Sequence, residues 1–291
     1  MGIGRAPGKL ILLGEHAVVF GQTALAAALP FGVTVEAFPA ESGGIRWSGS
    51  EVPKNDLRVE ASLALLARET GVEHAELRVT SELPVGGGLG SSAAFAVAVC
   101  RAFAPQWDDS EVNRISLLSE RLFHGTPSGV DNAVCTAGGI ITFRRGEPPY
   151  IERLRVSRKL PIVIGLTGRT RQTSTNVLSL RQRVEAEPER WMPVVERLGA
   201  LAEGGAKELI SGAFESIGAR MDEAHSLLSS ASLSSPELDE IVRAAKSAGA
   251  LGAKLTGAGG GGAAIALTLD PDRVAKAIEA RGFAARVVEL G

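Results

Sequence analysis

Two glycine clusters, at residues 86–90 and 257–262, restrict this chain more than anything else in it. Glycine reaches positive φ without strain and lets backbone approach a ligand closely, so a dense run of it marks a turn or a cradle. The first cluster lies in Pro84-Val-Gly-Gly-Gly-Leu-Gly-Ser-Ser-Ala-Ala94 and leads straight into Ser91–Phe103, an Ala/Val-rich stretch with no breaker. That stretch predicts a buried helix with Ser91 or Ser92 near its N-cap. Successive N–H groups ahead of a helix N-terminus can converge on phosphate oxygens, and the positive end of the helix dipole adds field there. A tight turn with a cap fits the same residues, so the loop alone reads either way. No GxxxxGK[ST] occurs, so this is not a Walker A loop with its adjacent lysine.

The second cluster, Lys254-Leu-Thr-Gly-Ala-Gly-Gly-Gly-Gly-Ala263, contains a literal GxGxxG at Gly257, Gly259 and Gly262. A dinucleotide fingerprint needs a helix directly after it, whereas the next residues, AAIALTL, read as a strand. The cluster is therefore a close-approach loop or a structural turn.

Charge and cysteine content narrow the function classes. Lys+Arg of 31 against Asp+Glu of 33 gives a net charge of −2, so no bulk positive field favours nucleic acid or an anionic membrane, and any anion must be held locally. Cys100 and Cys135 stand apart in apolar stretches outside any metal-ligand spacing, which excludes a structural zinc or a disulfide scaffold. The N-terminal residues lack an apolar leader segment, and no run of about eighteen apolar residues appears, which predicts a cytoplasmic protein.

The predicted elements are of mixed type. Strands are expected at 9–13, 33–38, 77–81, 139–143, 162–166, 263–269 and 284–288, and helices at 57–68, 91–103, 110–123, 175–187, 193–203, 206–229, 236–248 and 273–280. Asp109 or Ser110 would cap the 110–123 helix, and residues 124–132 would form a breaker-rich loop. Strands and helices do not alternate regularly, which predicts an α+β fold. The Gly/Pro/Glu composition at 146–149 places a boundary between domains 1–148 and 149–291.

Several polar residues stand out near these elements. Lys9, Glu15 and His16 surround a short apolar strand, Asp131 lies in Pro127-Ser-Gly-Val-Asp-Asn132, and Glu120 sits on the preceding helix. Each alone is commonplace: a solvated strand end, a polar loop, an Asx turn, a helix surface charge. Taken together with the glycine loop, they supply the parts of a phosphoryl transfer: a phosphate cradle, a carboxylate for Mg²⁺, a carboxylate to accept a hydroxyl proton and a lysine to offset charge.

The segments APGKLILLGEHAVVFGQTALAAAL, LPVGGGLGSSAA, HGTPSGVDNAV and KLTGAGGGG, in this order from residue 6 to residue 262, resemble the three motifs of the GHMP kinase superfamily. The first and third are similar to those of its mevalonate-phosphorylating members in particular. The resemblance implies an N-terminal half like the second domain of ribosomal protein S5 and a ferredoxin-like C-terminal half, with the active site between them. It implies transfer of the γ-phosphoryl of ATP to the C5 hydroxyl of mevalonate, with Mg²⁺.

By matching motif position, the resemblance makes Asp131 the general base and puts Lys9 beside it to favour the developing alkoxide. Gly86, Gly87, Gly88, Leu89, Gly90 and Ser91, flanked by Pro84, Ser92 and Ala93, would wrap the ATP phosphates. Ser92 and Glu120 would bind Mg²⁺, and Glu15 and His16 would orient mevalonate. Thr175, or Thr173, would face the substrate, and Gly257 and Ala258 would help shape its site. The implied partner is the small-molecule substrate alone, with no nucleic acid and no membrane, and a homodimer is expected. At 291 residues the chain resembles compact prokaryotic members, which leaves feedback inhibition open. The alternatives are another kinase of the superfamily, acting on 5-phosphomevalonate or at the C3 position, and a non-catalytic nucleotide sensor. A phosphorylated substrate calls for extra cations, of which Arg169 and Arg171 are the clustered candidates.

Overall fold

A computed structural model describes residues 1–49, 56–84, 86–169 and 180–291. Among them, in chain order, lie β1 (Ile3–Leu13), a 3₁₀ turn (Ala17–Phe20), β2 (Ala24–Pro39), β3 (Ile45–Gly49), α1 (Leu57–Thr70), β4 (Ala75–Ser81), α2 (Ser91–Phe103), α3 (Asp109–His124) and α4 (Val130–Ala137). There follow β5 (Ile140–Arg144), β6 (Tyr150–Leu154), β7 (Leu160–Leu166), α5 (Leu180–Ala186), α6 (Pro188–Ser211), α7 (Phe214–Ser230) and α8 (Pro236–Ser247). The chain ends in β8 (Gly252–Thr256), β9 (Ala263–Leu267), α9 (Pro271–Glu279) and β10 (Ala284–Leu290). The fold is α+β, as the irregular order of predicted strands and helices required.

The chain forms two compact units that are not contiguous in sequence. The first comprises Met1–Lys9, Ala28–Val85 and Gly90–Gly138, and the second Leu10–Ala27, Gly86–Leu89 and Gly139–Gly291. Residue 148 lies inside the second unit, in the turn between β5 and β6, whose facing ends are Arg144 and Tyr150.

In the first unit, the C-terminal part of β2 pairs antiparallel with β4, and β4 pairs parallel with β3. In β4, Ala75, Leu77 and Val79 face inward while Glu76, Arg78 and Thr80 face out, the period of two that a half-buried strand imposes. Helix α2 lacks a polar face, and from Ala93 to Phe103 only Arg101 escapes full burial, so it is the central helix of this unit. Helices α1, α3 and α4 pack on it. Gly4 of β1 makes the closest approach, since a Cβ there would stand 1.9 Å from the carbonyl oxygen of Ala98.

In the second unit, residues 24–27 of β2 pair with β5, which pairs with β6. A separate antiparallel sheet runs β10-β7-β9-β8. Its core is aliphatic, with Ile162, Ile164, Ile265 and Leu267 buried under α7 and α8, which bury Met221 and Ile241. The hydrophobic effect of such burial, about 1.5–3 kcal/mol per large side chain, holds sheet and helices together. Here β7 carries a run of β-branched residues, Ile162, Val163 and Ile164, as expected of a strand covered on a face by helices.

Several local expectations need correction. Helix α2 opens at Ser91 as expected, and the cap itself is Gly90, with φ 78° and no side-chain hydrogen bond. Asp108, not Asp109 or Ser110, caps α3, its carboxylate accepting from the Glu111 N–H. The breaker-rich stretch is shorter than its composition suggests, because Val130 already starts α4. Pro193 does not begin a helix but lies within α6, which starts with Pro188 in its first turn.

Candidate active site

Four polar side chains singled out in the sequence come together in the first unit. Asp131 stands in the first turn of α4, and its Oδ2 lies 3.0 Å from Lys9 Nζ on β1. Lys9 is buried while Asp131 keeps about a quarter of its side chain exposed, its relative accessibility being 28%. The lysine is therefore committed to the carboxylate, and the carboxylate still reaches outward.

The placement of this pair follows from its neighbours. Arg101 of α2 donates to the Arg5 carbonyl of β1 at 2.8 Å and to the Thr136 carbonyl of α4 at 2.9 Å, tying the two elements that carry Lys9 and Asp131 to one helix. Asn132, buried next to Asp131, donates to Ser116 Oγ of α3 at 3.2 Å, which sets α4 against the helix of Glu120.

Glu120 is 1% exposed. Its Oε1 has no hydrogen-bond partner among the described residues, and its Oε2 lies 3.5 Å from His124 Nε2. Burial, reinforced by repulsion from the Asp131 carboxylate, raises its pKa from 4.5 to about 7, against the lowering pull of the Ser92 hydrogen bond and the Lys9 charge. A buried acceptor with an orphaned oxygen, next to a serine hydroxyl at an uncapped helix N-terminus, fits a divalent cation. Among the described residues no three His, Cys, Asp or Glu side chains converge as a metal cage. One carboxylate and one hydroxyl, completed by substrate phosphates, suit Mg²⁺, which seldom takes an all-protein cage.

His124 was not singled out in the sequence, although its spacing of four from Glu120 on one helix carried the signal. Its Nε2 lies 3.5 Å from Ser92 Oγ as well as from Glu120.

The glycine loop has the backbone that its composition implies. Gly86, Gly88 and Gly90 have φ of 71°, 73° and 78°. At Gly90 a Cβ would stand 2.5 Å from Lys9 Cγ, so the glycine is required both for its left-handed backbone and for the lysine that runs under it. Gly90→Ala is expected to lower stability by about 1–2 kcal/mol from backbone strain and to displace Lys9, with turnover falling alongside. Thermal melting and kcat of that variant check this, and an unchanged kcat would show that Lys9 has no need of its present path.

In the second unit, Gly257–Gly262 connect β8 to β9, a strand on each side, which removes the dinucleotide reading. The loop lies against the first glycine cluster, since a Cβ at Gly262 would come within 3.2 Å of the Gly87 carbonyl oxygen. Glu15 and His16 are also here. Glu15 is fully buried and its Oε1 bonds Lys254 Nζ, a partner the sequence did not suggest. Burial pulls Lys254 below the usual lysine range, and the Glu15 charge opposes that shift. His16 has φ 61°, and its Nε2 lies 3.1 Å from the Ala258 carbonyl oxygen. Thr173, Thr175 and Arg171 lie outside the described residues. Arg169 is ion-paired with Glu237 at 2.7 Å.

Comparisons with known proteins identify the family. Residues 58–139 match the model of the GHMP kinases N terminal domain and residues 206–284 that of the GHMP kinases C terminal. The chain is thus of the GHMP kinase class. The mevalonate kinase of Pyrococcus furiosus is 34% identical over 99% of this chain and 96% of its own length, and that of Pyrococcus horikoshii 36% identical over 95% and 92%. A crystal structure of L. major mevalonate kinase in complex with R-mevalonate superposes with a TM-score of 0.88 at 27% identity, covering 100% of this chain and 97% of that one. This chain belongs to the mevalonate kinase family. No helix among the described residues is long and apolar enough to cross a membrane.

Proposed function

We propose that this protein transfers the γ-phosphoryl of ATP to the C5 hydroxyl of (R)-mevalonate, giving 5-phosphomevalonate and ADP for isoprenoid precursor synthesis. The observation that carries this reading is the buried Lys9 paired at 3.0 Å with the outward-reaching Asp131, in one unit with Ser92 and Glu120.

Phosphoryl transfer through a loose transition state asks little covalent chemistry of the protein, so positioning and charge dominate. Asp131 accepts the hydroxyl proton as the O–P bond forms, which spares full deprotonation of a weakly acidic alcohol. Lys9 offsets negative charge on the same oxygen. The N–H groups from Gly86 to Ser91 and the flanking residues Pro84, Ser92 and Ala93 wrap the phosphates. Ser92 Oγ and Glu120 would hold Mg²⁺, which would neutralise charge on the phosphate oxygens. His16 orients mevalonate, with Glu15, Gly257, Ala258 and Thr175 or Thr173 shaping its place. Positioning of this kind is worth about 7–11 kcal/mol in well-oriented systems, more than the base supplies.

ADP release with Mg-ATP against (R)-mevalonate, 5-phosphomevalonate, galactose and homoserine tests the reading. Turnover on mevalonate alone supports it, and preference for 5-phosphomevalonate moves the assignment to a sister kinase. Of the two candidate cations for a phosphorylated acceptor, Arg169 is ion-paired with Glu237 at 2.7 Å.

The Glu120 environment has a measurable consequence for stability. Its folded pKa of about 7 exceeds 4.5, so between those values the folded protein binds more protons than the unfolded chain. Its contribution is most favourable below about pH 4.5 and is lost as the pH rises through about 7. The difference corresponds to roughly 3 kcal/mol at full ionisation. Glu120→Gln, neutral throughout, is expected to melt several degrees above the parent at pH 8.5 without metal, with the gap closing towards pH 4.5. Thermal melts across that range check it, and a gap independent of pH would contradict it.

A further inference from the structure

The Glu15–Lys254 pair lies in the second unit, and no chemistry proposed above uses its lysine. Both side chains are fully buried, and Lys254 Nζ also donates to the Leu255 carbonyl at 2.6 Å. A buried ion pair is a poor stabiliser of a fold, because the desolvation of two charges offsets their attraction and an apolar pair of similar size often does as well. Its worth lies in geometry, and the local backbone shows which geometry.

Glu15 is flanked by two residues of positive φ, Gly14 at 90° and His16 at φ 61°, ψ −39°, the latter the centre of a γ-turn closed by the Ala17 N–H donating to the Glu15 carbonyl oxygen at 2.7 Å. For a residue other than glycine that conformation is rare and strained, and it persists where surroundings over-determine it. This bend is tied to β8 and its loop through Glu15 to Lys254 and through His16 Nε2 to the Ala258 carbonyl oxygen. The attachment of β1 to β8 itself has a separate clamp, since Thr256 Oγ accepts from the Ile11 N–H at 3.1 Å and donates to the Ile11 carbonyl at 3.0 Å. Loss of the lysine therefore leaves the strands joined while it removes the ion pair that ties Glu15 of the bend to β8.

We propose that Lys254 is a positioning residue: by holding Glu15 inside the unit it sets the γ-turn that carries His16 against Ala258 and so sets the imidazole that orients the acceptor. The inference rests on the reading of His16 as a mevalonate contact. It assigns Glu15 an indirect part, through its neighbour, in place of a direct contact with substrate. Arginine cannot replace the lysine, since a planar guanidinium does not fit the compact point contact made by an ammonium between Glu15 and the Leu255 carbonyl.

The test compares Lys254→Met, the apolar pair Glu15→Leu/Lys254→Met, His16→Asn, and His16→Asn combined with each. KM for mevalonate, KM for ATP and kcat are measured for each, together with the His16 imidazole ¹⁵N resonances in the protein free of substrate. The expected result is a rise of 10-fold or more in KM for mevalonate with KM for ATP held within 2-fold, and shifted His16 resonances. The apolar pair, whose buried charges are both gone, keeps the fold even where Lys254→Met alone does not, and shows the same loss. In the His16→Asn background neither change raises KM for mevalonate further, because the group they position is absent. Restoration of the parent KM and His16 signal by the apolar pair overturns the proposal and leaves the ion pair a packing element. An additive effect in the His16→Asn background overturns it too. A parent-like KM in His16→Asn overturns the substrate role of His16 itself, which the resonances distinguish from a failed linkage.

Discussion

Asp131→Asn is expected to lower kcat by about 10²–10⁴-fold, the usual worth of a positioned general base, with little change in KM for ATP. Asparagine keeps the size of the side chain in the first turn of α4, so the Asn132 bond to Ser116 and the Arg101 bond to Thr136 remain in place. What disappears is the acceptor for the hydroxyl proton and the partner of Lys9. Steady-state kinetics with mevalonate and ATP varied in turn separate the effects. A kcat near that of the parent would remove the base assignment, because no other described carboxylate of this unit pairs with Lys9.

Lys9→Met should bring a loss of the same order, and the two substitutions should not add. Lys9 and Asp131 form one charge pair, so removing either disables much of what the other does, and the double variant should fall about as far as the worse single one. Methionine fills most of the buried path of the lysine stem beneath Gly90, and Asp131, partly exposed, retains access to water when its partner is gone. Folding should therefore survive, which circular dichroism and thermal melting verify. A rise confined to KM for ATP would place Lys9 at the phosphates. Strict additivity of the two changes would mean that the pair does not act as a unit.

Much of the architecture was legible in the residues, for identifiable reasons. Helix α2 reads from its unbroken Ala/Val run, β4 from its alternation, and the strand after the second glycine cluster from AAIAL. Helix α4 was hidden because Pro127, Ser128 and Gly129 precede it and its eight residues are too few to display a helical period. That error placed Asp131 in a loop, when the helix is what fixes its direction towards Lys9. Strand β8 was hidden by Lys254, a charged residue in a strand buried at all five positions, where sequence patterns expect apolar side chains. Strand β6 was missed because it is largely exposed and rich in charge, with Glu152 and Arg153 in its five residues.

The candidate site divides in the same way. Lys9, Ser92, Glu120 and Asp131 were found through local motifs, and they assemble in one unit. Lys254 is 239 residues from Glu15, and no local pattern links a lysine on one strand with a glutamate on a distant turn. Such partners come from tertiary packing, which brings buried charges together because neither can remain inside alone.

The most direct test of the central claim is the position of the phosphate on the product. Incubation with Mg-ATP and (R)-mevalonate, followed by ³¹P and ¹H NMR of the isolated product, should show the phosphorus coupled to the C5 methylene protons, with ADP formed in equal amount. Phosphate on the C3 oxygen, which lacks that coupling, or an absence of phosphorylated mevalonate would contradict the account.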